Sequence, residues 1–273
     1  MTTEYTGRGD PARSLALLWR TGERASRKGK PDLSVDRIVR AAIEVADTEG
    51  LAALSMRKVA ERLGVGTMSL YTYVPGKAEL IDVMLDTVYG ELPLPGGEEE
   101  AAADTAGKPD GGWRARLEAI ARDHKTLYHR HPWMLQVGSS RPPLGPNVTA
   151  VYDHSLRAVD GIGLSDTEMD TVVTLVTGFV NGAVRGAVKA EQVERLTGMT
   201  DEQWWWAHAP FLSKVMDPRR YPVAARVGAA AGEAHNAPYN PEHAFEFGLA
   251  RVLDGVEVFV RSRAGSASPE GGA

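Results

Sequence analysis

The chain contains no cysteine. That excludes a disulfide framework, a thiolate zinc site and a cysteine nucleophile. It has no continuous apolar stretch near its N-terminus of the kind a secretory leader needs, since LALLW at 15–19 is short and is followed by charge. No run of apolar letters approaches a membrane-spanning length, and the expected location is the cytoplasm with no membrane partner. No stretch alternates apolar and polar residues as a half-buried strand does, and no repeat recurs at a fixed period. Two signatures of catalysis are also missing. His124, His129 and His131 stand five and two residues apart, which is not the HExxH zinc spacing, and no paired-carboxylate motif accompanies them or Asp153. Neither a cofactor nor a metal is expected.

Excess positive charge is missing too: net charge is −5 over 273 residues, with 43% hydrophobic and 25% charged residues. As an average this is an ordinary soluble protein with no leaning towards nucleic acid. The distribution differs from the average. Residues 13–40 hold eight basic side chains and three acidic ones, a net +5, leaving −10 for the remainder. A basic front on an acidic body suits a protein that meets phosphate at one end. Charge alone fits a solvated basic tail equally well.

What is present is helical periodicity. Residues 1–33 read as a basic arm with a short helix around 14–20. A helix follows Ser34, an N-cap with Asp36 in the first turn, and carries Ile38, Val39, Ala42, Ile43 and Ala46 on one stripe. A second starts at Ser55 with Met56, Val59, Ala60 and Leu63 at i, i+3, i+4, i+7, and Gly64 supplies its left-handed end. A third spans about 67–73 with Leu70 and Val74 inward, before Pro75-Gly76 forces a turn. A brace helix followed by a nearly uncharged helix bearing short polar and tyrosyl side chains is the build of a helix-turn-helix. Helix four carries Leu80, Ile81, Met84, Leu85 and Val88. Residues 92–112 are a Pro/Gly/Glu/Ala linker. Further helices are expected at 113–129, 147–160, 165–191, 200–216 and 241–261, with an irregular stretch at 217–241. The three adjacent tryptophans, 204–206, cannot share one helix face, so at least one meets a partner subunit or a cavity.

The spaced elements Ala41-Ala42, Glu49-Gly50-Leu51, Met56-Arg57-Lys58-Val59-Ala60, Leu63-Gly64-Val65, Leu70-Tyr71 and Lys77-Ala78-Glu79-Leu80 resemble the DNA-binding domain of the TetR family of transcriptional regulators. The body is more weakly similar to the tetracycline-repressor branch, through His131-Pro132-Trp133, Gly138 to Pro142, Phe247-Gly248-Leu249 and Leu253-Asp254-Gly255. The resemblance implies an all-α protein. An N-terminal three-helix helix-turn-helix domain (34–80) precedes a helical effector-binding and dimerisation domain (81–263, with the linker inside it), and 264–273 is a disordered tail. It implies a homodimer that binds a palindromic double-stranded operator, and a repressor released by a small, largely apolar effector. A nonspecific architectural DNA binder and an all-α enzyme are the competing classes.

The resemblance places a base contact at Arg57, where an arginine can reach guanine O6 and N7. Ser55 and Met56 occupy phosphate-facing positions, Met56 through its backbone amide. Thr67 and Met68 open the third helix, with Met68 suited to a thymine methyl. Ser69, Tyr71 and Tyr73 carry hydroxyls for phosphate, Tyr73 being the more core-facing of the two tyrosines. Lys77 matches the family's phosphate-binding lysine. Arg24, Arg27, Lys28 and Lys30 can follow the backbone or enter the minor groove. For the effector the candidates are His124, Tyr128, Trp133, Gln136, Arg141, Phe179 and Asn181, each of which is equally a core or surface residue. Tetracycline-binding members place a magnesium-reaching histidine before a Gly-to-Arg-Pro loop. Here Gln136-Val137 stand there, which argues against magnesium–tetracycline as effector.

Overall fold

A computed structural model describes residues 4–5, 10–21, 33–94, 112–138, 141–237 and 239–266. Its elements are β1 (Glu4–Tyr5), α1 (Pro11–Leu18), α2 (Val35–Glu49), α3 (Met56–Leu63), α4 (Thr67–Tyr71), α5 (Lys77–Tyr89), α6 (Gly112–Arg130), β2 (Val137–Gly138), α7 (Pro146–Arg157), α8 (Asp166–Thr197), α9 (Asp201–Val215), α10 (Pro222–His235) and α11 (Pro241–Ser266). The fold is all-α. The only sheet among the described residues is the two-residue parallel pairing of β1 with β2.

The chain divides into two compact units, residues 1–174 with 263–273, and residues 175–262. In the first, α2 begins at Ser34, whose hydroxyl accepts from the Arg37 amide at 3.2 Å, and ends at Gly50. Ser55 caps α3 in the same way, through the Lys58 amide. Gly64 closes α3 at φ 69°, a left-handed conformation in which any Cβ is strained. The stripe residues Ile38, Val39, Ala42, Val59, Ala60, Leu70 and Val74 are all buried, and Leu80, Ile81, Met84 and Val88 of α5 continue that core. Arg62 pairs with Glu44 at 3.0 Å and Lys58 with Glu49 at 2.8 Å, tying α3 to α2 at the rim.

Helix α5 also packs against α1 and α7. Its Asp86, only 4% exposed, lies at the start of α7 and accepts from the amides of Asn147 (3.1 Å) and Val148 (3.0 Å) and from the Asn147 side chain (3.2 Å). A residue on one helix thus caps the N-terminus of another, satisfying amide donors that would otherwise be orphaned. Burial raises the Asp86 pKa above its ordinary value, although the three hydrogen bonds and the Arg20 charge pull the other way. The approach is close enough that a Cβ on Gly145 would collide with the Asp86 carboxylate.

In the second unit, Val176, Val180, Val184 and Val188 form a buried stripe on α8, and Phe245, Leu249, Leu253 and Val256 form one on α11. Phe179 lies against Phe245 with ring centroids 5.9 Å apart. Neither α9 nor α10 has a buried residue. Of the tryptophans, Trp204 and Trp206 are exposed, whereas Trp205 rests against Gly232.

The short helix expected around 14–20 is α1, which starts earlier, at Pro11, is capped by Asp10 and buries Leu18. Two expectations are corrected. The stretch read as irregular at 217–241 contains α10, begun by Pro222 in its first turn and ended by left-handed Asn236 at φ 51°. Its Ala-rich interior outweighs the glycines that made it look broken. And α8 runs to Thr197, with an 18-residue window of mean hydropathy 1.3 that passes for a membrane span by length and composition; only 33% of that window is buried. The linker at 95–111 and the tail beyond 266 lie outside the described residues, while 264–266 complete α11.

Gly145→Ala should destabilise the protein by about 1–3 kcal/mol through overpacking against Asp86. Urea denaturation of the two proteins measures this; an unchanged midpoint would mean that the α5–α7 joint is slack.

Candidate nucleic-acid interface and ligand crevice

The face of the helix-turn-helix opposite its core presents the expected side chains. Arg57 is 83% exposed at the side chain and pairs with Glu61 at 2.8 Å, one turn along α3. That hydrogen bond and Glu61's charge raise the arginine's pKa. An exposed pair of this kind is weak, so Arg57 is held in place yet available to a stronger partner. Met68 is 79% exposed at the start of α4, with Ser69 exposed and Thr67 half-buried. Tyr71 and Tyr73 are both exposed, 44% and 40%, Tyr73 being the more covered by a small margin. Leu70 and Val74 fill the core between them. Ser55 is exposed, and its hydroxyl is committed to the Lys58 amide. The Met56 side chain is buried at 6%, part of the apolar stripe, which leaves only its backbone to face outward. Lys77 is half-buried in the first turn of α5. Arg24, Arg27, Lys28 and Lys30 fall outside the described residues.

Behind this face, α2 is joined to the segment after α6. Asp47 Oδ1 accepts from His131 Nδ1 at 2.8 Å and from Trp133 Nε1 at 2.8 Å. The other nitrogen of His131 lies 3.2 Å from Glu91, which also accepts from Arg130 at 2.8 Å. Burial works to raise the Glu91 pKa, but the hydrogen bonds and charges of Arg130 and His131 outweigh it and hold the pKa low. Trp133, expected as a ligand contact, therefore has its indole N–H already spoken for.

The effector candidates do not gather in one place. His124 and Tyr128 are buried neighbours on α6 with ring centroids 6.3 Å apart, and Tyr89 of α5 meets His124 edge-on at 6.2 Å. Burial first, then the adjacent Tyr128, raises the Tyr89 pKa strongly. Gln136 and Arg141 are exposed. Phe179 and Asn181 belong to the second unit, where Asn181 accepts from Arg185 at 3.1 Å.

Around His124 lies a crevice of about 210 Å³, its open mouth included, lined by Leu92, Leu94, Ile120, Asp123, Val151 and His154 among others. This is below the roughly 300–1,000 Å³ of a formed small-molecule pocket. His124 Nδ1 donates to the Ile120 carbonyl at 2.8 Å. Burial lowers its pKa, more than the Ile120 bond and the Asp123 charge raise it. The ring is thus kept neutral, with Nε2 as its acceptor. Burial also raises Asp123, against the charges of His124 and His154. Asp123, His154 and the two leucines were not singled out by sequence. Asp123 and His154 line the same crevice from α6 and α7, a juxtaposition that no local spacing announces.

Among the described residues no group of three His, Asp or Glu is placed to hold a metal ion.

Two family profiles match the chain: bacterial regulatory proteins, tetR family, over residues 38–84, and tetracyclin repressor-like, C-terminal domain, over 106–260. The HTH-type transcriptional repressor DrrR1 of Streptomyces coeruleorubidus is 46% identical over 98% of this chain and 93% of its own. An HTH-type transcriptional regulator of Saccharopolyspora erythraea is 35% identical over 55% of this chain and 59% of its own. Among solved structures, apo ActR from Streptomyces coelicolor superposes with TM-score 0.63 at 25% identity, covering 84% of this chain and 98% of that one. ActR in complex with actinorhodin gives 0.64 at 24% identity, covering 83% and 96%.

His124 has a folded pKa below its unfolded value, so its contribution to stability is present above the ordinary histidine pKa and lost as pH falls through the weakly acidic range. In urea denaturation between pH 7.5 and pH 5, the wild type should lose more stability than His124→Phe. Equal losses would contradict the neutral, buried assignment.

Proposed function

This chain belongs to the TetR family of bacterial transcriptional regulators, and from that premise we propose that it represses transcription until a small molecule lifts it from its operator. Family membership makes it a sequence-specific DNA-binding protein rather than an enzyme; members bind operator DNA, dimerise and respond to small ligands. Residues 34–80 serve as the DNA-binding domain and 81–263 as the effector-binding and dimerisation domain. The relative named as a repressor supports the direction of control. A cytoplasmic location follows from the DNA partner.

The observation that carries the reading is the sorting of α3 and α4 by face. Leu70 and Val74 are sealed in the core while Met68, Ser69, Tyr71 and Tyr73 stand exposed and free of formal charge. In our reading Arg57, Thr67 and Met68 face bases. Ser55, the Met56 amide, Ser69, Tyr71, Tyr73 and Lys77 face phosphate, with Arg27 and Lys28 following the backbone ahead of α2. The palindromic operator follows from a twofold dimer that sets two α4 helices roughly 34–36 Å apart. Exposed Leu175 on α8 and Val258 and Phe259 on α11 suit a four-helix dimer seam.

The effector is a small, largely apolar molecule, and His124 is its polar anchor. A neutral imidazole acceptor among Ile120, Val151, Leu92 and Leu94 takes a hydroxyl or N–H donor. ActR, whose structure with actinorhodin is known, offers a precedent for a small-molecule ligand in a protein of this fold. Because the crevice is small, an effector must part α6 from α7. Movement of α7 reaches α5 through Asp86, and α5 begins at Lys77. A ligand shifts the DNA-binding equilibrium only by its differential affinity for the two states, typically about 1–3 kcal/mol.

Titration against duplexes varied one base pair at a time tests the DNA face. Arg57→Ala should weaken binding by about one to two orders of magnitude and relax preference at one base position; equal weakening on every duplex would refute the base contact. Lys77→Ala should weaken all duplexes alike and reduce the salt slope by about one. A shifted base preference there would sink the phosphate role.

A further inference from the structure

The residues ahead of α2 lie outside both family matches, which start at residues 38 and 106, yet they hold the body at two points and α2 at a third. The backbone of β1 pairs with β2, Glu4 opposite Val137 and Tyr5 opposite Gly138. Helix α1 is well formed in its own right. Asp10 accepts from the Ala12 and Arg13 amides at 2.9 and 3.2 Å, Pro11 fits its first turn, and Leu18 is buried where α1 packs on α5. At its end Trp19 Nε1 donates to the Leu144 carbonyl at 2.8 Å, across 125 residues of sequence. The next residue, Arg20, reaches the other way, to Asp36 in the first turn of α2 at 2.6 Å. Its charge also acts on Asp86. Arg20 sits at φ 54°, a left-handed conformation that a non-glycine residue holds only when its surroundings fix it.

The two body attachments bracket a single stretch. Val137 and Gly138 stand at its start, and Leu144 stands just before Gly145 and the Asp86-capped turn of α7. The third attachment is to the helix that begins the DNA-binding domain. The chain from Arg20 to Ser34 carries Arg24, Arg27, Lys28 and Lys30, so DNA that engages these charges draws on an anchor shared with the body.

We propose that β1 and α1, with Trp19 and Arg20 as positioning residues, act as a strap that couples DNA at α2–α4 to the first turn of α7. DNA bound at one end tightens the first turn of α7 at the other, which closes the crevice. An effector that displaces α7 strains the same strap. This rests on the DNA-binding function proposed above.

Hydrogen exchange tests it without knowledge of the effector. The probe is a duplex recovered by the protein itself from a random-sequence library. In the wild type, this duplex should slow exchange in peptides covering 144–150 by about fivefold or more, the lower end of ordinary coupling. Trp19→Phe keeps the ring but removes the N–H donor, and a chain starting at residue 22 removes the strap but keeps the basic run. Both should still bind the duplex, shown by anisotropy, and lose the slowing. If the strap is merely structural, exchange accelerates alike in free and bound forms and the DNA-induced ratio stays at the wild-type value, which overturns the proposal. Absence of slowing in the wild type overturns it as well. Failure of the wild type to retain any duplex would instead overturn the DNA-binding reading on which it rests.

Discussion

The Asp86 carboxylate is the constraint on which the rest of the first unit depends. It sits on α5, the helix that begins at the DNA face, and it caps α7, the helix that lines the crevice. A buried acid that receives two backbone amides and one side-chain amide fixes both the separation and the rotation of the two helices. Burial costs it part of its acidity, and the capped helix N-terminus returns part. The carboxylate gives the α5–α7 packing a direction that apolar contact lacks, since apolar contact resists separation and tolerates sliding. The bare Cα of Gly145 is the condition for the approach.

Around this joint several polar contacts give the packing direction. Asp47 receives His131 and Trp133 and so fixes the C-terminal end of α2 to the segment after α6. Arg20 and Trp19 fix its N-terminal end, through α1, to the residues before α7. Helix α2 is thus held at both ends by groups from outside the helix-turn-helix. Rigid elements joined by a handful of hydrogen bonds have discrete alternatives rather than a continuum, which is what a two-state regulator requires. On the function proposed above, an occupant of the small crevice does work on α7, which the Asp86 cap ties to α5.

How much of this was legible in the sequence follows the range of the interactions. The helix-turn-helix was readable because its determinants are local. Ser34 and Ser55 cap, Gly64 ends α3 at a left-handed angle, and the apolar stripe keeps its period. Met56 was legible twice, on the apolar stripe by its spacing and at a phosphate-facing position by the resemblance, and its side chain is buried. The effector candidates were chosen by residue type, and type does not tell a donor in want of a partner from one already satisfied. Trp133 is satisfied by a residue 86 positions away. Asp86 looked like one more polar residue on an amphipathic helix, because its partners lie 61 and 62 positions on. A short helix around 14–20 was legible, while its packing, with Leu18 in the core and Trp19 on a distant carbonyl, is tertiary and was not. Helix α10 was missed for a different reason: glycine and proline letters were read as breaks where proline opens the helix and alanine sustains it.

The central claim is that a twofold pair of α4 helices reads a specific duplex. Selection of binding sites from a random-sequence DNA library by the purified full-length protein, followed by sequencing, tests it most directly. The account predicts convergence on an inverted repeat whose half-sites are about one helical turn apart, centre to centre. Retention of DNA without sequence convergence, or convergence on a single unrepeated half-site, would contradict it.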